Sequence, residues 1–231
     1  MTRTAIIAAM PAELKPLVRG WQHTRSNGVD LWRWSFDGGE WIAACAGAGV
    51  ERAARAFAEV EKCGEVDRVI STGWAGALHE ELVSGKAYDV STIIDARTGE
   101  RFVTAGPPND YWLVTSPKVA DAAEKQRLAS TYQAALVEME ASAIARLARM
   151  RGIPFYCIKG ISDGYSDKLP DFNRFISTDG QFRLACFIFF VLFRTSYWLS
   201  LIRMGQNSRK ASRSIAASVR DLLEERGQQA G

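Results

Sequence analysis

The chain has 231 residues, 47% of them hydrophobic, with a formal net charge of +3, four cysteines and two histidines. That is enough chain to bury one sizeable α/β core, so a single domain over 1–231 is expected, and a charge this small, with its basic residues interleaved among acids, argues against a nucleic-acid partner. Cys45, Cys63, Cys157 and Cys186 lie far apart with no C-x-x-C pair, and neither His23 nor His79 has a second ligand at metal spacing, which speaks against a disulfide framework, a metal centre and a histidine-based triad.

In chain order, β-branched apolar runs alternate with helical patterns, the mark of a largely parallel sheet covered by helices. The run TAIIAAM (4–10) predicts a buried first strand, and 30–47 a hairpin turning at Asp37-Gly38-Gly39. A helix follows over 51–63, with Ala54, Phe57 and Val60 on its inner face. Strands are expected at 66–72, 87–95 and 111–115, and Ser116-Pro117 reads as an N-cap and first helical residue for a helix running to Leu128. The segments 134–139 and 154–162 read as strands around a helix at 140–151. No signal peptide precedes the first strand, so a reducing cytoplasm is the expected compartment.

Glu13, Glu140 and Asp163 each follow the end of a predicted strand. In open α/β sheets ligands bind at that carboxyl edge, so these acids are expected to converge on one pocket. The bland alternative is that Glu13 and Glu140 favour the positive ends of helices, and that Asp163 before Gly164 is a turn residue.

Four segments, IIAAMPAEL (6–14), STGWAGAL (71–78), VEMEASAIA (137–145) and IKGISDG (158–164), stand in the order of the signature motifs of the purine nucleoside phosphorylase and methylthioadenosine/S-adenosylhomocysteine nucleosidase superfamily. The chain resembles that superfamily over roughly 4–165, and AGAGVERAA (46–54) is similar to its glycine turn into a helix. As a dinucleotide fingerprint the same stretch fails, because Arg52 stands where a third glycine belongs. The resemblance implies a three-layer α/β/α fold around a central mixed, mostly parallel sheet. It also implies cleavage of an N-glycosidic bond in a purine nucleoside, with no metal or organic cofactor.

Such cleavage builds positive charge on the ribose and negative charge on the departing base. By resemblance, Asp163 is the general acid, kept protonated by burial, and Glu13 orients or deprotonates the attacking water. Glu140 holds the ribose hydroxyls, Met139 packs on the sugar, and Glu138 of the same motif counts with the substrate-binding residues. Lys159 stands where the nucleosidases usually carry arginine and is expected to pair with Glu13, while Val119 is placed against the base. Pro11-Ala12-Glu13 after the first strand, in place of a phosphate-binding glycine turn, favours hydrolysis; phosphorolysis is the alternative.

Two departures from the family pattern stand out. Trp74 occupies a position that usually holds a small hydroxyl residue, where an indole would close or reshape the pocket or mark a chain that no longer catalyses. The family passes from its S-D motif to a final helix, which 207–225 resembles, but here the segment 182–205 inserts an apolar run, Leu184 to Phe193, well short of the about 20 residues of a bilayer-spanning helix. It reads as a buried or interface helix, or else as a hydrophobic lid or interfacial helix anchored by Tyr197, Trp198 and Arg203 that meets a membrane surface or a lipid-like 5′ substituent. The expected partner is a purine nucleoside and the expected assembly a homodimer. A non-catalytic nucleoside-binding or membrane-peripheral protein is the alternative of another class.

Overall fold

Thr2–Ala8 (β1) opens the chain as a buried strand, running parallel to neighbours on both sides. The computed structural model describes residues 2–167, 170–175 and 197–227. After β1, Pro at the first helical position starts the short helix Pro11–Leu14 (α1). Gln22–Ser26 (β2), Val29–Phe36 (β3) and Gly39–Cys45 (β4) then form an antiparallel meander, with the expected turn at Asp37-Gly38 between β3 and β4. β2 has no apolar alternation of its own and is exposed along most of its length, which is why periodicity does not reveal it.

Val50–Glu61 (α2) buries Ala53, Ala56, Phe57 and Val60, the i, i+3, i+4, i+7 stripe of a helix laid on a sheet. The stripe passes through Ala53, leaving the expected Ala54 half-buried. Arg68–Ala77 (β5) follows. The expected strand at 87–95 divides into Ala87–Asp89 (β6) and Thr92–Asp95 (β7), which pair with different partners. Arg101–Val103 (β8) and Trp112–Thr115 (β9) lead to the helix Ala122–Tyr132 (α3). Its cap is Asp121, whose side chain accepts from the Glu124 N–H, and not Ser116; the helix starts later than the sequence pattern suggests because the aspartate takes the orphan donor. Leu136–Glu138 (β10), Ala141–Arg151 (α4) and Phe155–Asp163 (β11) come next. The last helix, Trp198–Gly227 (α5), begins well before the expected residue 207.

The sheet runs β2-β3-β4-β1-β5-β10-β9-β7-β8, with β11 also on β5 and β6 on β11. Its centre is parallel (β4/β1, β1/β5, β5/β11, β10/β9), and antiparallel pairs lie mainly towards its margins. α2 and α4 cover one face, over a core that includes Phe57, Ile144 and Ile161. α1 and α5 cover the other, around Leu14, Ile70, Ile158 and Ile215, and α3 adds Leu128 against Ile94 and Val114. The result is the three-layer α/β/α arrangement around a mixed sheet. Of the insertion at 182–205, residues 182–196 lie outside the described residues; the rest forms the start of α5, where Trp198, Leu199 and Ile202 are exposed. Among the described residues no helix is long and apolar enough to cross a membrane.

Candidate active site

The turn between β1 and α1 places Glu13 at the carboxyl edge of the sheet. Glu13 is 3% exposed. Its Oε2 accepts from the Ala9 and Met10 N–H groups at 2.9 and 2.8 Å, and its Oε1 from the Trp74 N–H at 2.8 Å. Reaching back to the residue before α1 is what a glutamate at the third helical position does in a capping box. The third bond, to β5, goes further than capping requires. Gly73 makes room for it: a Cβ there would lie 2.9 Å from Glu13 Oε1, on a backbone at φ +127° that favours glycine. Burial pushes the Glu13 carboxyl above its ordinary range, against the pull of those N–H groups and of Lys159. A raised carboxyl is a better proton acceptor near neutral pH.

Lys159, on β11 opposite Gly73 of β5, is 1% exposed. It does not pair with Glu13, as the sequence suggests. Its ammonium lies 3.0 Å from Glu138 Oε2 and donates to the Thr72 carbonyl at 3.1 Å. Burial works against that charge, but Glu138 and then Cys157, Glu140 and Glu13 hold the lysine pKa above its usual value. Glu138 is equally enclosed, accepting from Thr115 Oγ1 at 2.8 Å and from the Glu140 and Ala141 N–H groups at 3.0 and 2.9 Å. Those bonds cap the start of α4, so Glu138 anchors Lys159 and the helix and has little left to offer a ligand.

Glu140 immediately precedes α4. Its Oε1 accepts from the Gly49 N–H at 2.6 Å, in the glycine turn into α2. Burial, then the neighbouring Glu138 charge, push its carboxyl up to about 8, against the pull of Lys159 and Gly49. Met139 stands half-buried between the two glutamates.

Asp163 ends β11, 8% exposed. Its Oδ1 accepts from Ser162 Oγ at 2.6 Å, and its Oδ2 from Lys125 Nζ at 2.5 Å. Lys125 comes from α3, is 2% exposed, and also donates to the Gly164 carbonyl at 2.7 Å. Gly76 of β5 lets this pair approach the sheet: a Cβ there would meet Asp163 Oδ2 at 3.0 Å and Lys125 Cε at 3.2 Å. No sequence motif marks Lys125. Its signal was the spacing to Leu128, three residues on, the other buried residue of α3.

Trp74 touches the site through its backbone. Its indole packs on the α5 side of the sheet and donates to Ser212 Oγ at 2.9 Å, and Ser212 donates to the Ala12 carbonyl at 3.2 Å. The indole therefore ties α5 to the segment that carries Glu13. Val119 lies half-buried in the loop between β9 and α3, six residues before Lys125. Burial pushes the Cys45 and Cys157 thiols up to about 12, so neither is a ready nucleophile. Among the described residues, no group of three or more His, Cys, Asp or Glu side chains could hold a metal ion.

The structure thus gathers Glu13, Glu138 and Glu140, at or just after the ends of β1 and β10, around Lys159 in the middle of β11, with Asp163 at the end of that strand. An α/β/α sheet with proton-active carboxylates at its carboxyl edge defines a class of small-molecule site. The chain belongs to the phosphorylase superfamily, whose sequence profile matches residues 3–126 and 111–186. No curated protein matches the sequence. Among solved structures, the chain is similar to the 5′-methylthioadenosine/S-adenosylhomocysteine nucleosidase of Helicobacter pylori with butyl-thio-DADMe-Immucillin-A, at 15% identity and a TM-score of 0.73, covering 97% of this chain and 99% of that one. The 5′-methylthioadenosine nucleosidase of Arabidopsis thaliana matches at 15% identity and a TM-score of 0.74, over 97% and 95% of the two chains. The futalosine hydrolase of Helicobacter pylori matches at 14% and 0.73, over 97% and 98%.

Proposed function

We propose that the chain is a nucleosidase that hydrolyses the N-glycosidic bond of a 5′-substituted adenosine or related purine nucleoside. The observation that carries this reading is Glu13, a buried carboxylate with a raised pKa, held by backbone N–H groups of β5 and of the turn after β1. In this reading Glu13 orients a water and takes its proton as the water oxygen bonds to the anomeric carbon. Glu140 binds the ribose hydroxyls, Met139 packs on the sugar, and Asp163 passes a proton to the departing purine. Each group acts where charge changes in the transition state.

The backbone donors argue for water over phosphate as the nucleophile. Anions bind where N–H groups cluster at turns and helix starts. Here the N–H groups after β1 go to Glu13, and the Gly49 N–H ahead of α2 goes to Glu140. A phosphate would have to displace the protein's own carboxyl groups from these donors. The solved relatives named for methylthioadenosine and futalosine cleavage share the fold, and they set the substrates to try first. Purified protein incubated with 5′-methylthioadenosine, S-adenosylhomocysteine and a series of longer 5′-alkylthioadenosines is expected to release adenine from at least one of them. Intact nucleoside throughout, with binding seen by calorimetry, would point instead to a non-catalytic nucleoside-binding protein.

A further inference from the structure

Asp163 does not stand alone at the end of β11: it is paired with Lys125 of α3. Asp163 Oδ2 accepts from the Lys125 ammonium at 2.5 Å, a charge-assisted contact that puts a proton donor directly on the carboxyl. The ammonium also donates to the Gly164 carbonyl, so its position is fixed by two acceptors around the end of β11. Both side chains are nearly closed to water.

We propose that Lys125 is the proton source for the departing base, acting through Asp163; this rests on the nucleosidase reading of the same site. As the bond between the anomeric carbon and the purine breaks, its electron pair stays with the purine, which becomes basic. An Nζ–H bond of Lys125 breaks and an O–H bond forms on Asp163. That O–H bond breaks in turn as an N–H bond forms on the purine. Asp163 ends as the carboxylate it began as, Lys125 ends as a neutral amine, and the attacking water leaves its proton on Glu13. Proton exchange with solvent after product release restores the Lys125 ammonium and the Glu13 carboxylate. Lys125 is thus a positioning residue that acts through Asp163, and the ion pair is the resting state of the acid.

Leaving-group dependence separates proton supply from structural support. Two substrates with one sugar are compared, 5′-methylthioadenosine and 4-nitrophenyl 5-methylthio-β-D-riboside, whose nitrophenoxide departs as a stable anion needing no proton. Lys125→Arg keeps the positive charge, but arginine cannot be deprotonated in a protein; Lys125→Met removes the charge. Both variants are expected to lose about 100-fold or more in kcat on the nucleoside while keeping nitrophenyl riboside hydrolysis within a few-fold of the parent. Full nucleoside turnover by Lys125→Arg would overturn the proposal, since charge alone would then suffice. Equal losses on both substrates, with a lowered melting temperature, would overturn it too and leave Lys125 a structural residue. A parent protein that cleaves the nitrophenyl riboside but not the nucleoside refutes proton supply while keeping glycosidic cleavage. One that cleaves neither refutes the nucleosidase reading itself, and this proposal falls with it.

Discussion

Lys159 and Lys125 are both almost fully buried and both face a carboxylate, yet they stand in different networks. The partner of Lys159, Glu138, is already engaged by a threonine hydroxyl and two N–H groups at the start of α4. Both oxygens of Glu138 are thus engaged. The partner of Lys125, Asp163, has one oxygen on the ammonium and the other on the Ser162 hydroxyl, a donor that can rotate. The contrast separates a lysine that holds a scaffold from one that, in the proposed mechanism, supplies the acid. It is carried by the second partner of each pair, since the two lysines alone look alike.

The largest expected difference lies in turnover. Asp163→Asn keeps the shape and loses the proton carrier, so kcat on a cleavable nucleoside should fall by about 100- to 10,000-fold, read at a temperature where the variant is folded, because the Lys125 ammonium also loses its carboxylate. Near-normal turnover would remove Asp163 from the mechanism. Lys159→Met should act on stability instead. It strands Glu138 in the interior, and breaking a buried pair costs about 3–5 kcal/mol, measurable by urea denaturation. A Lys159→Met variant as stable as the parent would erase the distinction between the two lysines.

A pH series sharpens the same contrast from the carboxylate side. The raised Glu140 carboxyl means that the native state keeps a proton the unfolded chain releases between about 4.5 and about 8. Folding stability should therefore fall as pH rises through that window, with Glu13 adding in the same direction. Glu140→Gln should flatten the dependence, and an unchanged slope in that variant would mean that Glu140 is not its source. The smallest effect is expected at Trp74. Trp74→Phe removes one hydrogen bond to Ser212, worth about 0.5–1.5 kcal/mol, and leaves the backbone N–H that holds Glu13 in place. A loss of turnover larger than the loss of stability would show the indole reaching the substrate.

Much of this was legible in the sequence, and the exceptions have physical causes. The central strands and helices follow from apolar periodicity, because each buries a face. The strands missed, β2 and β8, are an exposed margin and a three-residue pairing, with too little burial to leave a pattern. The late start of α3 turned on a competition between caps that Asp121 won over Ser116. In the site, Glu13, Glu140 and Asp163 stood out as acids after apolar strands, and the fold places them at the expected edge. What they bond to was not legible. The Lys159–Glu138 pair depends on which side of β11 faces α4. Lys125 lies outside the matched motifs and resembles any surface lysine until α3 turns it inward beside Leu128.

The most direct measurement is the fate of oxygen in the sugar product. Purine release is followed in water enriched in oxygen-18, with and without orthophosphate, and the sugar is analysed by mass spectrometry. A hydrolase built on Glu13 should place the label at the anomeric carbon in both reactions and release sugar at the same rate in each. A sugar 1-phosphate that appears only when phosphate is present would contradict that mechanism, because the nucleophile would then be phosphate and not the water assigned to Glu13.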